Sequence, residues 1–209
     1  MQPLFEDNHY IAILKPTGIS TEPHFEDEVK AFIKVRDCKP GNVFLKATHR
    51  IDRPAGGVVL FAKTEKGLVR MHKLMRERGV KKTYFAKVRG TLLNSEGTWI
   101  DYISKGEKHA YLDEKGKEAV LHYKVVNQDE KGTLLEIDLV TGRYHQIRLQ
   151  AHSRGHTILG DDLYLRQRST PRIALFHAKM EFIHPIKGNL CIISAGDCAD
   201  GSRSYLPFC

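Results

Sequence analysis

Short apolar runs broken by Gly/Pro turns recur along most of this chain. Tyr10-Ile11-Ala12-Ile13-Leu14 reads as a buried strand, ended by the turn Lys15-Pro16-Thr17-Gly18. Val29, Phe32 and Ile33 share one face of a short helix expected between Glu28 and about Cys38, which Lys39-Pro40-Gly41-Asn42 closes. Val43-Phe44-Leu45 is a further strand candidate, and Val58-Val59-Leu60-Phe61-Ala62 is apolar enough to be buried on both faces. Leu68, Met71, His72 and Met75 then fall at i, i+3, i+4 and i+7, an amphipathic helix with Thr64 as N-cap and Gly79 as its stop.

Thr83–Val88 reads as a strand, and Thr98–Ile103 and Lys117–Tyr123 as strands in hairpins. Lys124–Val126 and Thr133–Leu139 flank the polar turn Asn127–Gly132, and residues 146–153 are expected to be helical. Arg172–Lys179 and Met180–Ile183 are the last strand candidates, and the polar tail Asp197–Cys209 is expected to be loosely held. Many strands, few helices and no regular βαβ alternation predict an α+β fold. With no repeat and no clear linker, 209 residues are expected to form a single domain.

Charge changes the picture more than composition does. The formal net charge is +8. Between Lys63 and Arg89 lie Lys63, Lys66, Arg70, Lys73, Arg76, Arg78, Lys81, Lys82, Lys87 and Arg89, opposed in sequence only by Glu65 and Glu77. The first thirty residues hold Glu6, Asp7, Glu22, Glu26, Asp27 and Glu28 against Lys15 and Lys30. This asymmetry is the footprint expected of an RNA partner, although a solvated helix face would give Arg70, Lys73 and Arg76 the same pattern. Cys38, Cys191, Cys198 and Cys209 form no C-x-x-C pair and have no His cluster at ligand spacing, so reduced thiols and no metal are expected. There is no membrane-length apolar run and no signal-peptide order of residues, which predicts a cytoplasmic chain.

The chemistry concentrates at His49-Arg50-Ile51-Asp52-Arg53, followed by Pro54-Ala55-Gly56-Gly57 and the buried run. Asp52 is expected at a sheet edge on a constrained loop, with arginines on both sides favouring the ionised carboxylate. That suits a nucleophile or an anchored charge better than a general acid. An Arg–Asp pair that merely fixes the loop is the competing reading. His49, His145, His152 and His177 lack a Ser or Cys in a nucleophile-elbow setting, which argues against hydrolase chemistry.

His49–Arg53 resembles the active-site motif of the RluA-type pseudouridine synthases, usually H-R-L-D-x-x-T-S-G. Lys82-Thr83-Tyr84 resembles the family's second motif, and Thr141-Gly142-Arg143-Tyr144-His145-Gln146-Ile147-Arg148 its third. Gly155-His156-Thr157-Ile158-Leu159-Gly160-Asp161, His177-Ala178, His184-Pro185 and, near the start, Lys15-Pro16-Thr17-Gly18 fit as well, so the resemblance covers about residues 5–195. It implies a mixed, mostly antiparallel central sheet with flanking helices and an RNA cleft. It also implies catalysis by Asp52 without metal or cofactor. Arg148 would pair with the aspartate, with Arg143 as the alternative, and Tyr84 would stack on the target uracil. Arg50 would fill the gap left by a flipped uridine. His49, Arg53, Arg143, Gln146, Lys73, Arg76 and Lys82 would contact RNA or substrate.

Ile51, Ala55, Gly56, Tyr144 and Gln150 depart from the common family pattern, and none of them falls at the three proposed catalytic positions. The family often carries an N-terminal S4 domain, and the expectation here is the catalytic domain alone. The substrate would be ribosomal or transfer RNA, met by a monomer. A non-catalytic RNA-binding or RNA-folding protein that kept the cleft is the alternative. Retention of Asp52, Tyr84 and Arg148 together argues against it. No helix-turn-helix or zinc-finger pattern supports DNA binding.

Overall fold

The structure, a computed structural model, describes residues 1–165 and 172–196. In chain order the strands and helices are β1 (Pro3–Glu6), β2 (Tyr10–Lys15), α1 (Glu26–Arg36), β3 (Lys46–Ala47), β4 (Gly56–Ala62), α2 (Glu65–Arg76), β5 (Val80–Val88) and β6 (Glu96–Lys105). There follow β7 (Ala110–Leu112), β8 (Lys117–Asp129), β9 (Gly132–Leu139), α3 (Gln146–Ser153), α4 (Asp162–Leu165), β10 (Leu175–Ile183) and β11 (Leu190–Ser194). They form two compact units: residues 1–80 with 177–196, and residues 81–165 with 172–176. Each combines antiparallel ladders with two of the helices, an α+β organisation.

In the first unit the strand order is β1-β2-β4-β10, with β3 on β4 and β11 on β10. Strand β4 is buried along its whole length, and its register explains why. Leu60 and Ala62 share a face with Ala12 and Tyr10 of β2 and pack on Met71 of α2. Phe61 and Val59 share the other face with Ile11 and Ile13, and the Phe61 ring meets Phe25 at 5.8 Å. Apolar layers on both sides erase the period-two alternation, so the strand reads as a continuous apolar run.

Helix α2 forms where expected. The Thr64 hydroxyl accepts from the Gly67 N–H at 3.1 Å, and Leu68, Met71 and Met75 face the core. Its end differs from expectation. Arg78, not Gly79, takes the left-handed conformation (φ 58°), and the Gly79 N–H bonds to the Leu74 carbonyl at 2.9 Å. A Cβ at Gly79, one position further on, would meet the Leu74 side chain at 2.4 Å.

In the second unit the order is β5-β9-β8-β6-β7. The expected strands at 117–123 and 124–126 are one strand, β8, which runs to Asp129 with a bulge between Val125 and Asn127. Ile103, Ala110, Ala119, Leu149 and Tyr164 form one buried cluster over which α3 lies.

Other parts of the chain differ from expectation. Residues 43–45 are not a strand; pairing with β4 begins only at Lys46. The two expected C-terminal strands are the single β10. Strands β1 and β11 were not expected. Both are short edge strands that turn alternate side chains to solvent, with Leu190 and Ile192 of β11 exposed. The tail 197–209 lies outside the described residues.

Candidate active site

Asp52 sits on the turn between β3 and β4, and the Ala55 N–H closes that turn on the Asp52 carbonyl at 3.0 Å. The turn is joined to the loop after β2. The Gly18 N–H donates to the Arg53 carbonyl at 2.8 Å, and Arg53 Nε returns a bond to the Gly18 carbonyl at 2.9 Å. The Thr21 hydroxyl takes both backbone groups of Ile51, accepting at 3.2 Å and donating at 3.1 Å. Lys15, buried at the end of β2, donates to the carbonyls of Pro16, Ile19 and Ala55 at 2.8–2.9 Å, with Arg53 O at 3.5 Å. Burial pushes the Lys15 amine down to about 8, and the Asp52 charge pulls in the opposite direction.

The loop is therefore fixed by backbone bonds and by a buried lysine, rather than by an ion pair with the flanking arginines. Arg53 spends its Nε on Gly18, and Arg50, with 70% of its side chain exposed, lies 3.9 Å from Glu22. The sequence carries a signal for this role of Lys15. Lys15 continues the inward set Ile11 and Ile13 at spacing two, so a charged residue there must find partners inside.

Gly57 (φ 128°) opens β4 beside His177, and a Cβ there would come within 2.3 Å of the His177 carbonyl oxygen. His177 Nδ1 donates to the Val58 carbonyl at 2.6 Å, and its ring stands edge-on to His49 at 5.3 Å. His49 in turn takes the Leu60 N–H on Nε2 at 3.3 Å. Both histidines brace the turn that carries Asp52.

In the second unit Tyr84 lies buried in β5, opposite Ile137 of β9. Lys82, two residues before it, is desolvated, which lowers its pKa, and its amine lies against Gly142. The segment 141–146 is tied into a compact loop by Gln146. Its Oε1 accepts from the Thr141 hydroxyl at 2.8 Å and the Arg143 N–H at 2.9 Å, while Nε2 donates to the Val120 carbonyl at 3.1 Å. Arg143 Nε donates to the Glu118 carbonyl at 2.8 Å. His145 enters α3 in the left-handed conformation (φ 52°), a strained entry stabilised by the stack of its ring on Tyr144 at 3.9 Å. Lys105 approaches the Tyr144 ring at 5.2 Å. One turn into the helix, Arg148 is 3% exposed and grips Asp161 through Nε–Oδ2 at 2.7 Å and Nη2–Oδ1 at 2.8 Å. Asp161 closes the Gly155–Asp161 motif, and nothing in its local spacing marks it as a partner for a residue thirteen positions earlier.

Part of the basic stretch is neutralised by acids distant in sequence. Lys63 pairs with Glu6, Lys81 with Asp138 and Lys87 with Asp129, and Lys73 lies 3.8 Å from Glu77. Lys73 and Arg76 are both exposed on α2. Among the described residues no group of His, Cys, Asp or Glu could hold a metal ion, and no helix is long and apolar enough to cross a membrane.

These two units, with a braced aspartate turn in one and a Tyr/Arg-bearing sheet and helix in the other, have the α+β organisation of pseudouridine synthases. A family model described as RNA pseudouridylate synthase matches residues 9–153, and the chain belongs to that family. The sequence is 33% identical over 213 residues to a ribosomal large subunit pseudouridine synthase C of Buchnera aphidicola, covering 92% of this chain and 66% of the relative. It is also 33% identical to the uncharacterized RNA pseudouridine synthase YhcT of Bacillus subtilis, covering 94% and 68%. The chain thus spans about two thirds of the length of these relatives. Among solved structures, human RNA pseudouridylate synthase domain containing 4 superposes with a TM-score of 0.78 at 19% identity, covering 93% of this chain and 87% of that one, a likeness of fold.

Proposed function

We propose that this chain is an RNA pseudouridine synthase that isomerises specific uridines in structured ribosomal or transfer RNA, acting as a monomer with Asp52 as its catalytic carboxylate. The observation that carries the reading is the Asp52 turn. It lies inside the family-matched region and is braced on both sides by bonds to the loop after β2. A reacting carboxylate must be held in one place, and a turn fixed through its own backbone does this.

The reaction breaks the C1′–N1 bond of uridine, turns the base and forms C1′–C5; the C5 proton leaves and N1, freed from the sugar, takes up a proton. No atom is gained or lost, so neither a redox partner nor a metal is required by the balance. Asp52 would act at C1′, either by adding to the sugar or by assisting a glycal. Tyr84 would stack on the uracil, and Arg148 would keep the carboxylate charged and oriented once water is excluded. Arg50, already extended into solvent, is suited to enter the base stack as the uridine leaves it. His49, Arg53, Arg143, Gln146 and Lys82 would hold the loops around the nucleotide, and Lys73 and Arg76 would track phosphates.

The test is pseudouridine mapping of total RNA with and without the gene, followed by reaction of the mapped RNA with the purified chain. Uridines that lose their modification on deletion, and regain it with the purified protein, are the expected result. An unchanged map with an inactive purified chain would leave a non-catalytic RNA-binding protein as the reading.

A further inference from the structure

Arg148 is a long side chain, and one charged contact would not fix its plane. In this chain the guanidinium is held along one edge and over one face. Asp161 grips the Nε/Nη2 edge with both carboxylate oxygens, at 2.7 and 2.8 Å. The Tyr164 ring lies under its face at 5.4 Å, and that ring is held by its hydroxyl, which accepts from the Ala110 N–H at 3.2 Å. Both charged partners are buried, Asp161 completely.

Asp161 is itself rigidly placed. Its N–H bonds to the Ile158 carbonyl at 3.1 Å, and the preceding segment is laced to the end of β5. Arg89 N donates to Thr157 O at 2.9 Å, Leu159 N to Lys87 O at 2.9 Å, and Ala174 N to Leu159 O at 2.8 Å. Strand β5 is the one that carries Tyr84.

Resting on the function proposed above, we propose that Asp161 is the positioning residue for Arg148 in the isomerisation, setting the plane of its guanidinium relative to β5. A planar guanidinium can meet two carboxylates along two edges. Asp161 takes the Nε/Nη2 edge, which aims the terminal Nη1/Nη2 edge in one direction. Its charge balances that of Arg148, so the arginine holds its orientation inside the protein before any RNA arrives. Asp161 touches no reacting atom in this scheme and acts only through Arg148.

The test is steady-state pseudouridine formation on the mapped RNA by wild type, Asp161→Glu, Arg148→Lys and the double variant, with rates normalised to the folded fraction from melting curves. Asp161→Asn would leave a buried charge unbalanced and can unfold the chain. Asp161→Glu keeps the charge and displaces it by one methylene. A displacement of that size should lower kcat by about 100-fold, with KM within about threefold because RNA contacts are unchanged. In the Arg148→Lys background the same change should cost less than about threefold more, because the plane it sets is already gone. Wild-type kcat in Asp161→Glu would overturn the proposal, as would an equal further loss in both backgrounds, which would mean that Asp161 stabilises the unit without acting through Arg148. An inactive wild-type protein would overturn the function as well, and so is distinguishable from either result.

Discussion

Lys15 Nζ donates to the Ala55 carbonyl oxygen at 2.8 Å, joining two loops forty residues apart in sequence. The same amine reaches the carbonyls of Pro16 and Ile19, so one buried charge organises the ground on which the Asp52 turn stands. Removing it by Lys15→Met leaves those carbonyls without their donor and should destabilise the chain by about 1–3 kcal/mol at pH 7, read from denaturant titrations.

The same lysine should leave a mark on the pH dependence of stability. Its folded pKa, about 8, lies below the value of 10.5 for a free lysine. Between those values the unfolded chain binds more protons than the folded one, so stability rises from pH 8 to 10.5. As pH falls through 8 that contribution is lost. The wild type minus Lys15→Met difference in stability should therefore grow across this window. A difference flat from pH 7.5 to 10.5 would contradict the assignment.

At acid pH the corresponding group is Asp7. Burial alone would raise its carboxyl, but Lys187 and the N–H groups of His9 and Tyr10 outweigh it and hold the pKa at about 2, against 3.8 when free. This depressed value contributes stability that is fully present above pH 4 and lost as pH falls through 2, about 2 kcal/mol in all. Asp7→Asn should remove that acid-sensitive component while leaving the profile above pH 5 parallel to wild type, as acid titrations of both proteins would reveal.

Asp52→Asn keeps the shape of the side chain but cannot serve as an anionic nucleophile. Pseudouridine formation should disappear, while RNA affinity stays within about threefold because the phosphate contacts are untouched. Appreciable turnover by the purified variant would sink the assignment of Asp52.

Lys73 and Arg76 stand on the exposed side of α2, where a solvated face and an RNA-tracking face look alike. Reversing both to Glu should weaken binding of all RNAs tested to a similar extent and reduce the slope of log K against log salt by at least about 1. A slope unchanged by the double variant would leave these charges as solvation only.

Helix α2 was legible from one dominant period, and strands β2, β4 and β9 as short apolar runs bounded by turn residues; the family motifs located the Asp52 turn. Strands β1 and β11 were not legible because a short edge strand needs only a few inward residues, and its partner decides its register. Lys15 and Asp161 escaped for another reason. A buried charge is recognised by what surrounds it, and local spacing does not mark the Ala55 carbonyl forty residues on from Lys15 or Arg148 thirteen residues before Asp161. Gln146 shows the same limit: its amide holds a loop together, which the bare motif does not distinguish from an amide that reads a base.

The order of the two units along the chain constrains how the protein is made. Residues 81–176 are inserted within the first unit, whose strands β10 and β11 come only afterwards. During synthesis at ~5–20 residues per second, β4 emerges several seconds before β10, the neighbour whose backbone passes too close to Gly57 for a Cβ. Beyond Leu60–Ala62, which β3 and the residues after it already cover, that edge of β4 therefore remains open while the second unit is translated. That interval, rather than the finished fold, is where a chaperone or an aggregation partner would compete for it.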